Sequence, residues 1–383
     1  MKDKTAQFNK IAIFLSLAIM NALGLAPQVR AGLPYPTAST AGQLGADINY
    51  ANTTGGTFTI NLQPNVTFTN GSLGIGGVKT VNLRIIGNGD SFDGANQSSL
   101  FAVNPGSSLN LQELKLQNGY VYANYGGAIY NRGMLTISNC TLTGNTSVDR
   151  SDYLSSLRGV GGAICNNGGT VIMDSTILCH NLSTGANPMG GALYNAFGTV
   201  TISNCTFTNN SAIDTLLGIE IDPDYPQSGE GGALCNESGT VTISHSSFTG
   251  NFAAFKGGGI CNGFVYYSSG TMTVKNSSNI SGNTLDDVQN SGTFYLDGTS
   301  TIDVFDGYSA IGVNPVLNIN SWSSATHRLV ISWSTNYQGY TLQSSTNLGS
   351  MSWTNCASPT VSGASFIVTN SMSAGAQFFR LRK

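Results

Sequence analysis

The sequence predicts an all-β protein: a solenoid of the parallel β-helix type, with a short helical cap before it and a small β-sandwich after it. Three observations carry this. A glycine-led motif recurs five times between residues 126 and 283. The composition is poor in charge, at 9% Asp, Glu, Lys and Arg, and rich in glycine, with 48 of 383 residues. Past residue 317 the glycine pairs stop and all three tryptophans appear.

The repeat is clearest at Gly190–Asn210, GGALYNAFGTVTISNCTFTNN. Gly190 and Gly191 suit a sharp turn or a close approach to a neighbouring coil. A short apolar run, Ala192 to Tyr194, is followed by turn residues from Asn195 to Gly198. Val200 and Ile202 then alternate with Thr201 and Ser203, the period of a half-buried strand. Ser203-Asn204 makes a corner, Cys205 and Phe207 turn inward, and Asn210 closes the coil. Three short strands and three turns per rung are expected.

Copies begin at Gly126, Gly161, Gly231 and Gly257, and each ends in an apolar residue three positions before Asn: Leu142, Leu178, Phe207, Phe248 and Ile280. Counted from the first glycine, the closing Asn falls at offsets 19, 20, 20, 20 and 26. The connectors from Asn to the next glycine pair vary instead, with spacings of 16, 9, 21 and 6. Insertions at one fixed point of a repeat map to one corner of a solenoid.

Taken in order, residues 1–31 read as a secretory signal. Lys2, Lys4 and Lys10 precede an apolar run from Ile11 to Leu25, and Val29-Arg30-Ala31 suits cleavage after Ala31. That run is too short to span a membrane, so no transmembrane span is expected in the mature chain. Residues 39–52 place Leu44, Ile48 and Ala51 at helical spacing, with Ser39 or Thr40 as cap. Such a helix suits the open end of a solenoid, whose first coil would otherwise expose its core. Strands are expected at Thr57–Leu62, Val66–Thr69, Val81–Ile86, Leu100–Val103 and Leu109–Leu116, as less regular rungs. The β-helix is assigned to 32–316. Strands at Leu329–Trp333, Tyr340–Gln343, Ser365–Val368 and Phe378–Leu381 assign 317–383 to a sandwich.

A net charge of −3 leaves no basic stripe for phosphates and excludes nucleic acid as a partner. The seven cysteines are an odd number. Cys140 and Cys205 share one rung position, and Cys165, Cys235 and Cys261 share another. They read as small apolar core residues in columns. A Cys235–Cys261 bridge stays open, because rungs about 4.8 Å apart admit it on distance alone.

These motifs resemble the repeats of bacterial right-handed β-helix surface proteins, including the polymorphic outer membrane protein repeat and secreted proteins of pectin-lyase-like fold. The resemblance covers about residues 40–305. The segment GYTLQSSTNL…WTN…FFRLRK is similar to small sandwich modules that end secreted bacterial proteins. It implies a secreted or cell-surface protein of right-handed parallel β-helix fold. Two departures stand out. Polymorphic outer membrane proteins carry a translocating barrel, for which no stretch here is long enough. Pectin-degrading relatives use clustered Asp with Arg or Lys on one sheet, where the repeats here carry Thr, Ser and Asn, so no catalytic residue is transferred.

The candidate residues lie in the connectors. Tyr120, Tyr122, Tyr125, Tyr153 and Tyr225 fall at one corner, as aromatic residues at binding surfaces do. Asp214, Glu220, Asp222, Asp224 and Glu230 crowd the longest connector. Five carboxylates suit Ca²⁺, which takes six to eight oxygens, or an acid–base pair for glycoside chemistry; a solvated acidic loop is the plainer reading. Beyond that Ca²⁺ no cofactor is expected. The substrate-binding set is Tyr122, Tyr125, Tyr153, Asp222, Asp224 and Tyr225. Two columns of asparagine, at 131/166/195/236/262 and 145/181/210/251/283, read as structural amide stacks rather than a sugar-binding row. The three histidines are scattered and have no metal-ligand spacing.

Three readings follow: a secreted or surface-attached binder of polysaccharide or a neighbouring surface, a polysaccharide lyase or glycoside hydrolase, and a structural cell-envelope protein. A flat, aromatic, uncharged corner favours the first, and grouped carboxylates beside Lys or Arg favour the second.

Overall fold

A computed structural model of the chain describes residues 32–69, 71–122, 125–148, 159–185, 188–215, 229–263, 270–307, 311–312, 317–323, 327–334, 341–346, 353–363, 365–371 and 377–382. The proposed leader lies outside these residues. The solenoid is a right-handed parallel β-helix. One full rung is Leu193–Ala196, Thr199–Ser203, Thr206–Thr208 and Ser211–Asp214, and these strands belong to four different parallel sheets. We number the sheets one to four in that order. As described, they hold nine, eleven, nine and five strands.

The register is strict because each inward column is filled by residues of one kind. On the second sheet Leu135, Val171, Val200, Val241 and Met272 pair in line, all fully buried. On the third, Leu142, Leu178, Phe207, Phe248 and Ile280 do the same. The rings of Phe207 and Phe248 stack at 4.3 Å and 8°. A slip of one residue would turn every such side chain outward, so the pattern holds the pairing in place.

The glycine pair serves both expected purposes, one at each position. Gly190 sits at φ +63°, which side chains rarely adopt. A Cβ on Gly191 would lie 2.1 Å from the Gly232 carbonyl oxygen of the next rung.

Both asparagine columns are buried amide ladders. Asn210 Nδ2 donates to Asn251 Oδ1 at 2.9 Å and to the Leu178 carbonyl at 2.9 Å. Its own Oδ1 accepts from Asn181, from Nδ2 at 2.9 Å and from the backbone N–H at 3.1 Å. The second ladder runs from Asn131 through Asn166, Asn195, Asn236 and Asn262 to Asn290, with steps of 2.7–2.8 Å. Asp287 ends the first ladder by accepting from Asn283 Nδ2 at 2.8 Å.

The cap is the helix Ala41–Thr54, with Thr40 accepting from the Gln43 N–H at 3.2 Å and Gly55 ending it at φ +70°. Leu44, Ile48 and Ala51 are buried, and Tyr50 meets Phe58 edge-on at 6.0 Å. Towards the C-terminus, strands Asn318–Ser323, Arg328–Ser334, Ser365–Ser371 and Thr360–Ser362 form one antiparallel sheet, and Thr354–Asn355, Thr341–Ser345 and Phe378–Arg382 another. Leu329, Ile331, Trp333, Leu342 and Val368 fill the core between them.

Two expectations are corrected. The stretch Leu109–Leu116 is two strands, Ser108–Gln112 and Lys115–Gln117, in different sheets. Glu113, at φ +55°, turns the corner between them. The rung also has a fourth strand where three were expected. It follows the closing Asn directly, in what reads from the sequence as connector.

Candidate functional site

The fourth sheet consists of Tyr120–Tyr122, Thr146–Val148, Leu182–Gly185, Ser211–Asp214 and Phe252–Ala253. Most of its inward side chains are small: Ser147, Ser183, Ala212 and Ala253 are all buried, beside the half-buried Val121 and the buried Asp214 from the start of the longest connector. Ser183 donates to the Gly159 carbonyl at 2.6 Å, so even this polar wall is satisfied.

Two outward rows result from the register. One is Tyr120, Thr146, Leu182, Ser211 and Phe252, and the other Tyr122, Val148, Thr184 and Ile213. Every member is at least partly exposed, with Tyr122 at 58% and Phe252 at 39%. No charged residue stands in either row. The face therefore mixes apolar bodies with hydroxyls, and aromatic rings mark both ends.

The connectors return to the solenoid in register. Tyr125, Val160, Met189, Glu230 and Lys256 pair one to the next by parallel bridges. The stretches between residues 122 and 125, 148 and 160, 185 and 189, 214 and 230, and 253 and 256 thus leave and rejoin at two aligned rows. Tyr153, Asp222, Asp224 and Tyr225 lie in two of these stretches, outside the described residues. Their chain ends are nevertheless fixed beside the fourth sheet.

Of the other sequence-derived candidates, Tyr122 stands on the exposed face. Tyr125 is only half-exposed and stacks on Tyr130, with centroids 5.6 Å apart and planes at 23°. Both pack against Val160, Cys165, Met189, Tyr194, Ala196, Cys235 and Cys261. This second apolar cluster lies on the outer side of the first sheet. Cys165, Cys235 and Cys261 therefore belong to it and not to the solenoid core, which holds Cys140 and Cys205. The reason is alternation: Ile164, Leu234 and Ile260 face inward, so the next residue of each must face out.

At its far end this cluster becomes polar. The Cys261 thiol lies 3.3 Å from Glu230 Oε2 and 3.2 Å from Gln289 Oε1, either of which can accept its single proton. Lys256 Nζ lies 3.9 Å from Asp306 Oδ2. Asp286 Oδ1 accepts the Gly257 N–H at 2.7 Å, while its buried Oδ2 has no hydrogen-bond partner. Burial raises the Asp286 carboxyl above the usual carboxylate range, and the Asp306 charge adds to this. Among the described residues no group of three or more His, Cys, Asp or Glu is placed to hold a metal ion.

The residues that sequence reasoning missed are Leu182, Phe252, Val148 and Ile213. A signal for them exists in the strings Asn-Thr-Ser-Val, Asn-Leu-Ser-Thr, Asn-Ser-Ala-Ile and Asn-Phe-Ala, where a small residue recurs two places after the closing Asn.

With this geometry in hand, comparison with known families gives one match. Residues 204–237 fit the Chlamydia polymorphic membrane protein repeat. That segment spans the end of one rung, the longest connector and the glycine motif of the next. Neither the curated proteins nor the solved structures gave a match. The chain is thus a repeat protein of parallel β-helix architecture carrying a polymorphic membrane protein repeat. No helix among the described residues is long and apolar enough to cross a membrane.

Proposed function

We propose that this protein is a secreted or surface-displayed adhesin that binds glycans through the outer face of the fourth sheet and the loops beside it. The observation that carries the reading is the uncharged outward double row from Tyr120 and Tyr122 to Phe252. Flat apolar rings with hydroxyls between them match the C–H faces and hydroxyls of a sugar chain. Rungs about 4.8 Å apart give a regular, rigid lattice of such groups. Binding residues commonly stand on loops held by a rigid scaffold, and the aligned connectors provide that arrangement. The polymorphic membrane protein repeat supports a surface location of autotransporter-like type. A glycan array probed with the mature protein tests the reading. Retained uncharged or weakly charged oligosaccharides are the expected result, and an empty array in which the protein adheres to no cell surface overturns it.

A second reading rests on Asp286. A buried carboxyl with a raised pKa and an unpaired oxygen, near Asp306 and Lys256, has the character of a general acid for polysaccharide cleavage. A depolymerisation screen of the wild type and of Asp286→Asn separates the two readings. Cleavage lost in the variant would establish the enzyme.

A further inference from the structure

The chain has seven cysteines, and the register sorts them sharply. Cys165 is paired with Tyr194, and Tyr194 with Cys235, so Cys165 stands two rungs from the next thiol in its column. Cys179 lies between Thr143 and Thr208. Cys140 and Cys205 are separated by the rung that carries Thr176. Cys235 and Cys261, by contrast, are direct partners in one parallel ladder.

They are also in contact. Both are buried to within 1% of full burial, and the two side chains interact directly. Neighbouring strands lie about 4.7–4.9 Å apart, inside the Cα–Cα range of about 4.4–6.8 Å that a disulfide spans. Both point to the same outer side of the first sheet. Asn236 and Asn262, the next residues, are locked to each other at 2.8 Å by the amide ladder, which holds the two rungs in place.

We propose that Cys235 and Cys261 are a modification site: they form an intrachain disulfide that staples two consecutive rungs on the loop-bearing side of the solenoid. The oxidant is a disulfide of the thiol-exchange class, such as oxidised glutathione. One protein thiolate attacks the donor disulfide, forming a mixed disulfide and releasing one donor thiolate. The second protein thiolate then attacks the protein sulfur of that mixed disulfide and releases the other. Two protein thiols lose two electrons, one donor disulfide becomes two thiols, and the two protein protons end on them. The exchange takes place while the chain folds, before the cluster around Met189 and Tyr194 closes over the pair. In the folded protein the contact with Cys235, together with burial, holds an unoxidised Cys261 thiol in its unreactive protonated form.

The full-length chain is unfolded in reductant, refolded with a reduced and oxidised glutathione mixture, then denatured and treated with iodoacetamide. Five of the seven thiols are expected to alkylate, since two are joined. Digestion after Glu and Lys should release GGALCNE linked to the peptide that begins at Gly257. Cys261→Ser should instead give six alkylated thiols and no linked peptide. A second readout covers poor refolding yield: a urea midpoint that falls on adding reductant in the wild type and stays unchanged in Cys261→Ser. Seven alkylated thiols with a reductant-insensitive midpoint, a persistent glutathione adduct, or a link between other cysteines would overturn the proposal.

Discussion

At the scale of the residue, the closing asparagine does more than turn a corner. Asn210 uses both amide protons and accepts two more, one of them from the backbone, so its amide is fully satisfied in the interior. Asn210→Ala would leave the Asn181 backbone N–H and one proton of Asn181 Nδ2 without acceptors, and would take one of the two donors from Asn251 Oδ1. An unsatisfied buried group costs about 1–3 kcal/mol, so a loss of several kcal/mol is expected in a urea melt; a change below about 1 kcal/mol would contradict the ladder's role. Asp286 behaves in the opposite sense. Its carboxyl is raised in the folded state, so the contribution it makes is full below the ordinary carboxylate pKa of 3.8 and is lost as pH rises through the folded value. Asp286→Asn keeps the oxygen that accepts from Gly257 and removes the ionisation. The variant should be more stable than the wild type at pH 7 and no more stable at pH 3, measured by thermal melts across that range.

At the scale of the element, the strands that could be read from the sequence are those whose inward residues are large. Phe207, Ile202 and Leu193 announce three strands of their rung, and their columns are buried in register as expected. The fourth strand was illegible for a physical reason. Its inward residues are mostly Ser and Ala, so its alternation carries little hydrophobic contrast, and its outward residues include the larger ones. The helix was legible because Leu44, Ile48 and Ala51 keep one face and Thr40 supplies a cap. The candidate site was half legible on the same grounds. Tyr122 could be picked out as an aromatic residue in a connector, whereas Phe252 and Leu182 gain meaning only once five strands stand side by side. Tyr125 looked similar to Tyr122 in sequence, but it folds back onto Tyr130.

At the scale of the whole molecule, a fixed coil with variable excursions gives a wall: strict rungs behind, aligned loop bases in front. The solenoid core and the sandwich core share no residue. We propose that the 317–383 module folds on its own. Limited proteolysis should cut within 306–320 and leave both parts resistant; joint degradation after that cut would contradict the boundary. We propose the outer side of the fourth sheet as the working face. Its most direct test compares two sets of substitutions, read by binding to a glycan retained on the array or, failing that, to whole cells. Tyr120→Ser, Tyr122→Ser, Leu182→Ser and Phe252→Ser together alter only the outward rows of the fourth sheet. Thr136→Ala, Thr201→Ala and Thr242→Ala alter the outward row of the second. The first set is expected to abolish binding with a nearly unchanged melting temperature, and the second to leave binding intact. Binding that survives the first set and disappears with the second would contradict it.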